Sequence, residues 1–204
     1  MDSLKPMPVR EKFEHAFGMV RMYQKQVLPF VEQRLGYSAR RELESVWQAA
    51  MAPIRENDPD EEKYNRSYTS WLWMARCSHD FLADKLDREG VADYKRLLLR
   101  YYKAQHDKPD LVFYHWLNLS GSLIKAWAYE MQWMTPLEIT NDDSGKFVCE
   151  VQHCKVLQTA ATTRVCRVDC WNVGTELAWR VYHLERHTHQ VDHGCTITLI
   201  PQED

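Results

Sequence analysis

The sequence predicts an α+β fold: a helical N-terminal part packed on a small antiparallel sheet, with one or two helices at the C-terminus. Three observations carry this. From Val9 to Met134 the apolar residues recur mostly at helical spacing. After the turn signal Asn141-Asp142-Asp143-Ser144-Gly145 they fall into short alternating runs. The last stretch, Phe147–Pro201, also concentrates chemistry, with five of the six cysteines and five of the nine histidines.

The elements follow in order. Val9–Leu35 places Phe13, Phe17, Val20, Val27 and Val31 on one helical stripe, and Gly36 fits its stop. Ser38 is read as the cap of a second helix, Ala39 to about Arg55. The charged stretch Asn57–Asn65 contains Asp-Pro and reads as a loop or a helix start. Tyr68, Leu72, Ala75, His79, Leu82 and Leu86 share the next helical face, which Gly90 is expected to end. Val91–Gln105 makes another helix, broken at His106–Asp110 because Pro109 disfavours helix before it. Leu111–Met134 is the most apolar helix, with Trp116, Leu119, Leu123, Trp127 and Met131 as its buried stripe. The polar connection Thr135–Gly145 divides a helical region, 1–140, from a Cys/His-rich α+β region, 141–204; the two are expected to form one compact unit.

Beyond the turn, Phe147–Cys154 alternates as a strand, Lys155–Thr162 reads as a short helix and Cys166–Val181 as a longer one. Tyr182–Gln190 and Cys195–Ile200 form two strands joined by a hairpin through Val191–Gly194, with Cys195, Ile197 and Leu199 on one face.

Composition narrows the function. Twenty-six basic against 29 acidic residues give a formal net charge of −3, which offers no footprint for nucleic acid or an anionic membrane. No charged-then-apolar leader precedes the first helix and no apolar run has the length of a membrane span, so the expected location is the cytoplasm. In a reducing compartment cysteines stay free, bind metal or react. No phosphate-binding Gly loop and no Gly-x-Ser-x-Gly elbow occurs, so neither a nucleotide cofactor nor a serine triad is suggested.

Cys166, Asp169 and Cys170 are neighbours on a helix, and Cys166 lies near its expected start, where the helix dipole would favour a thiolate. Buried cysteine as a small hydrophobe is an equally good reading. His79 sits in an apolar stripe, as a hydrogen-bonded core histidine or as a base facing the C-terminal layer. His183, His187 and His189 share a strand face by parity, which suits the solvated side of a sheet better than a metal site. The pairs Cys149/Cys154 and Cys166/Cys170 are not tight Cys-x-x-Cys knuckles. No cofactor is therefore predicted, with zinc, iron or copper left as the alternative a Cys/His cluster offers.

The order strand, Cys154, short helix, Cys166-Arg-Val-Asp169, helix, Arg186-x-Thr188 and Gly194-Cys195-Thr-Ile-Thr resembles the L-2-amino-thiazoline-4-carboxylic acid hydrolase-like family over Phe147–Ile200. The resemblance implies a helical N-terminal half, a cysteine-bearing α+β C-terminal half and hydrolytic opening of a thiazoline ring. It carries over onto Cys154, Cys166, Asp169 and Cys195, and by weaker analogy onto Arg186 and Thr188. The chain departs from the pattern in Trp171, Trp179, His187, His189 and His193, bulky residues that would suit a different substrate.

The resulting expectation is a small-molecule enzyme that hydrolyses a C–N bond in a heterocycle. Cys166 is the nucleophile or polarising thiol, Asp169 orients water or an amine, and His193 or His79 is the acid/base. Arg186 binds a substrate carboxylate, and Cys154, Cys195, Thr188 and Trp127 complete the substrate site. A Cys/His metalloenzyme and a non-catalytic small-molecule sensor are the alternatives. The expected partner is the small-molecule substrate, with neither nucleic acid nor membrane; the charged face of Val9–Leu35 would suit a homodimer.

Overall fold

The computed structural model describes residues 4–106, 108–117, 119–141, 146–158, 163–191 and 194–202. It is an α+β structure in which helices pack on a four-stranded antiparallel sheet of order β1-β2-β4-β3. Among the described residues no helix is long and apolar enough to cross a membrane.

The first helical stretch is three pieces run together: α1 (Val9–Met22), a π-helical segment (Tyr23–Val27) and α2 (Leu28–Leu35). The π segment has a local cause. Pro29 has no N–H and its ring crowds the carbonyl one turn back. The chain widens there, and the Leu28 N–H bonds the Tyr23 carbonyl five residues back. Gly36, at φ 88°, turns the chain into α3 (Tyr37–Gln48). That helix starts before Ser38 and stops well short of Arg55, so Ser38 is not its cap.

Helix α4 (Asp60–Lys85) is the central element, and α1 packs along it. Pro59 precedes it, three acidic residues fill its first turn and Lys85 its last, each favourable to the helix dipole. Its buried side carries Tyr64, Tyr68 and Trp71 into an aromatic cluster with Trp133. The Tyr64 and Tyr68 hydroxyls donate to the carbonyls of Trp133 and Met134, at 2.7 and 3.1 Å, which fixes the chain leaving α7 (Ser120–Met131).

Three sequence expectations are corrected here. The break after α4 comes at Leu86, which is extended; Gly90 lies inside α5 (Arg88–His106), where a β-carbon would crowd Leu86 and Asp87. The apolar run Leu111–Met134 is two helices, α6 (Pro109–Trp116) and α7, separated at Leu117–Leu119. Leu123, Trp127 and Met131 are buried as expected, but Trp116 is 79% exposed and Leu119 40% exposed, because the break rotates α6 off the α7 stripe.

The sheet begins earlier than expected. Strand β1 (Glu138–Asn141) lies across the boundary placed at 141 and pairs with β2 (Phe147–Val151). A short edge strand with one aliphatic residue, Ile139, carries little alternation to read. Beyond β2 come α8 (Lys155–Gln158), the turn α9 (Thr163–Val165), a second π segment (Cys166–Val173), α10 (Gly174–Tyr182), β3 (Leu184–Val191) and β4 (Gly194–Pro201). Hairpin register is Gln190 opposite Cys195 and Arg186 opposite Leu199. Gly194 is required by space: a β-carbon there would overlap the Val151 carbonyl oxygen on β2. His183 is not in the strand; it ends α10 in the left-handed conformation at φ 50°. His187 and His189 are exposed on the solvent face of β3.

A buried polar knot ties α1, α5, α7 and α10. Glu130 receives the Lys108 ammonium, His15 Nε2 lies 3.6 Å from its other oxygen, and the Tyr182 hydroxyl donates to His106 Nδ1 at 2.7 Å. Burial pushes the His106 pKa down to about 4. Between that value and the ordinary 6.5 the unfolded chain holds a proton that the folded chain excludes, so stability rises with pH across this window and is fully present above it. His15, also lowered chiefly by burial, acts in the same direction. The expected effect of His106 is on the order of 2–3 kcal/mol between pH 4 and 6.5. Urea midpoints across this range should rise steeply in the wild type and less in His106→Gln; equal slopes would refute the assignment.

Candidate functional site

Inward residues on the sheet alternate as the pleat requires. On β3 they are Leu184, Arg186, Thr188 and Gln190; on β4, Cys195, Ile197 and Leu199; on β2, Phe147, Cys149 and Val151. The second π segment lies over this face, with the end of α7 beside it. Between them is a cavity of about 30 Å³, room for roughly two water molecules. Cys154, Cys166, Cys170, Cys195, Arg186 and Thr188 all line it, together with Met131, Met134 and Trp171. The structure thus brings Cys154, Cys166, Cys195, Arg186 and Thr188 to one place. Cys170 joins them because it is one turn from Cys166 on the same helix.

The guanidinium of Arg186 is the unusual group. The residue is 5% exposed, and its charge lies over the Trp127 ring, 5.6 Å from the ring centre. Nη1 donates to the Cys170 carbonyl at 2.7 Å. That carbonyl is free because of the π segment: the Gly174 N–H, which in an α-helix would bond it, reaches the Asp169 carbonyl five residues back. Gly174 also makes room, since a β-carbon there would overlap Nη1. The distortion of the helix and the placement of Arg186 are therefore one arrangement. Nε has no hydrogen-bond partner, and among the described residues no carboxylate pairs with the guanidinium. Burial lowers the pKa of Arg186. A buried cation without an anion is costly, and functional sites are where such costs are tolerated.

The thiols around it are held protonated. Burial raises Cys154 and takes Cys195 to about 11 and Cys149 to about 12. Cys170 is raised by its hydrogen bond with Cys166 and by burial. Cys166 is itself buried, and its helix has begun by Thr163, so it is not the first helical residue.

Asp169 and His79 meet each other instead of the cavity. His79 Nε2 and Asp169 Oδ2 are 2.6 Å apart, with both side chains about 1% exposed. The carboxylate accepts, so Nε2 carries the proton and Nδ1 accepts from the Tyr94 hydroxyl at 3.0 Å. Tyr102 donates to the other carboxylate oxygen at 3.3 Å. Burial holds Tyr94 and Tyr102 well above the usual tyrosine pKa, so both remain donors. Tyr23, from the first π segment, is buried against Tyr94. Neither His79 nor Asp169 lines the cavity; on the helix Asp169 is turned away from Cys166 and Cys170. Trp127 does not line it either, but supports Arg186 from behind. His193 lies outside the described residues.

Sequence reasoning weighed Cys170 but preferred Cys166, and it missed Gly174, Tyr94 and Tyr102. A signal for the network existed: His79 and Asp169 are each single polar residues in otherwise apolar helical surroundings, and two such residues can satisfy each other. Among the described residues no three His, Cys, Asp or Glu side chains form a group that could hold a metal ion. Comparison with known protein families, curated proteins and solved structures finds no match to this chain, so its function is argued from the site itself.

Proposed function

We propose that the protein is a small-molecule hydrolase whose substrate carries a carboxylate and that the thiol-lined cavity is its substrate site. The carrying observation is Arg186: a buried guanidinium, stacked on Trp127 and free of any described carboxylate, among thiols and apolar side chains. A substrate carboxylate supplies the missing counter-charge, and Arg is the side chain best suited to hold one in a desolvated place. The soft, apolar remainder of the lining suits a compact sulfur- or carbon-rich ring, in keeping with the resemblance to the thiazoline-carboxylate hydrolase-like family. At its present size the cavity does not admit such a ring. Trp171 lines it and is 37% exposed, so its outward rotation is the opening assigned here.

The reaction in this reading is hydrolysis of a ring C–N bond. The Cys166 sulfur bonds to the ring carbon as the C–N bond breaks, and the thiol proton passes to the departing nitrogen. Water then adds to that carbon, breaking the C–S bond and returning a proton to the thiol. Asp169 and His79 are positioning residues, holding the helix that presents Cys166. The test is turnover of 2-amino-thiazoline-4-carboxylate and related cyclic carboxylates, followed by mass spectrometry. Cys166→Ala is expected to lower kcat by at least about 100-fold while leaving ligand affinity within a few-fold. A folded Cys166→Ala protein with full turnover removes the nucleophile.

One observation favours a second reading. Among the described residues the cavity lining has no histidine and no carboxylate to move protons. A sensor that binds the same carboxylate without converting it has the same Arg186 dependence; ligand recovered unchanged after prolonged incubation selects it.

A further inference from the structure

We propose that the outward face of α6 is the contact surface between two copies of this chain. The proposal is independent of the cavity and goes beyond its reading. Trp116 is 79% exposed, Val112 66% and Phe113 54%; Leu117 and Leu119 continue the face at 43% and 40%. Positions 112, 113, 116 and 117 are adjacent on one side of a helix. From Leu111 to Leu119 the sequence has no Asp, Glu, Lys or Arg.

This face is held rigidly outward. Leu111 is buried beneath it, and His115 Nε2 bonds the Val181 carbonyl at 2.9 Å. The His115 ring lies 4.1 Å from the ring of His183, and the Lys108 ammonium joins Glu130 just before the helix begins.

Area selects the occupant. Scaled from full side-chain areas of about 150–250 Å² for the aromatic residues, the exposed side chains from Val112 to Leu119 leave roughly 600 Å² uncovered. That is the top of the range for a solitary apolar patch on a monomer, about 300–600 Å², and about what each partner buries in the smaller standard interfaces. The composition, aromatic at the centre with the exposed Asp110 at its edge, is that of an apolar interface core with a polar rim. A two-fold axis across α6 sets one uniformly apolar face on its equal, the self-complementarity that an isologous contact needs. Net charge of −3 provides no attraction to an anionic lipid surface.

The test is sedimentation equilibrium of the full chain from about 1 to 100 µM, the range in which a standard-size interface of ordinary quality assembles. Wild-type protein is expected to reach twice the 24.2 kDa chain mass, with its tryptophan fluorescence shifting to the blue as concentration rises, a shift absent from Trp116→Lys. Trp116→Lys and Phe113→Lys/Trp116→Lys are expected to remain at 24.2 kDa with unchanged circular dichroism, since both side chains are exposed in the single chain. A wild-type monomer throughout the range overturns the proposal, as does a dimer that survives the double substitution. Co-sedimentation with phosphatidylcholine/phosphatidylglycerol vesicles is the companion measurement. A monomer that pellets with vesicles, and loses this on Trp116→Lys, assigns the face to lipid and also overturns the proposal.

Discussion

Asp169→Ala is expected to lower stability by about 3–5 kcal/mol. The carboxylate is buried between α4, α5 and the second π segment and accepts from His79 at 2.6 Å and Tyr102 at 3.3 Å. Removing it leaves a buried imidazole N–H and a buried phenol without an acceptor, in a place water does not reach. Tyr102→Phe, which removes the longer of the two bonds, should cost only about 1 kcal/mol. Replacing both members of the pair with apolar residues, His79→Leu with Asp169→Leu, should cost clearly less than the sum of the single changes, because neither partner is then stranded. Urea unfolding of the five variants, Asp169→Ala, Tyr102→Phe, His79→Leu, Asp169→Leu and the double, separates these cases. Additive costs would mean that the pair is not a unit.

The second large effect has two signs. Arg186→Met is expected to raise stability by about 1–3 kcal/mol while abolishing carboxylate binding. The substitution removes a buried cation that has no described anionic partner, keeps most of the volume over Trp127, and costs one hydrogen bond to the Cys170 carbonyl. A residue that destabilises its own fold is retained for what it binds, so a gain in melting temperature with a loss of ligand is the signature of an anion anchor. Gly174→Ala is the complementary change. Its methyl group occupies the space of Nη1, so binding should weaken although Arg186 is present. An Arg186→Met protein that is less stable than the wild type would show that the guanidinium is structural.

Much of the fold was legible because it rests on local periodicity. The stripes of α1 and α4 and the alternation of Cys195, Ile197 and Leu199 survive in the structure because each element buries one face. What was not legible depends on contacts distant in sequence. The π segment at Cys166–Val173 exists together with an arginine 16 residues beyond Cys170 that takes its carbonyl, and no window of sequence contains that exchange. Tyr94 and Tyr102 read as ordinary apolar positions until Asp169 is placed beside them. Trp116 looked like core because its own neighbours are apolar; the break at Leu117–Leu119 turned it to the surface.

Of the site, Arg186 and Thr188 entered only through the family resemblance; the structure puts them with Leu184 on the inner face of β3. The separation of Asp169 from the thiols was not readable, since its partners, His79 and Tyr102, lie 90 and 67 residues away in the sequence. The charged face of the first helix suggested a dimer contact there; the apolar face of α6 is the contact proposed instead.

The account turns on Arg186 as the receptor for a substrate carboxylate. The most direct test is isothermal titration of wild-type protein and Arg186→Met with 2-amino-thiazoline-4-carboxylate and with the matching carboxamide. Wild-type protein is predicted to bind the carboxylate and to discriminate against the carboxamide by about 30- to 1000-fold, the equivalent of about 2–4 kcal/mol for a desolvated charge pair. Arg186→Met is predicted to lose that discrimination. Equal affinity of the wild type for acid and amide, or carboxylate binding undiminished in Arg186→Met, would contradict the account.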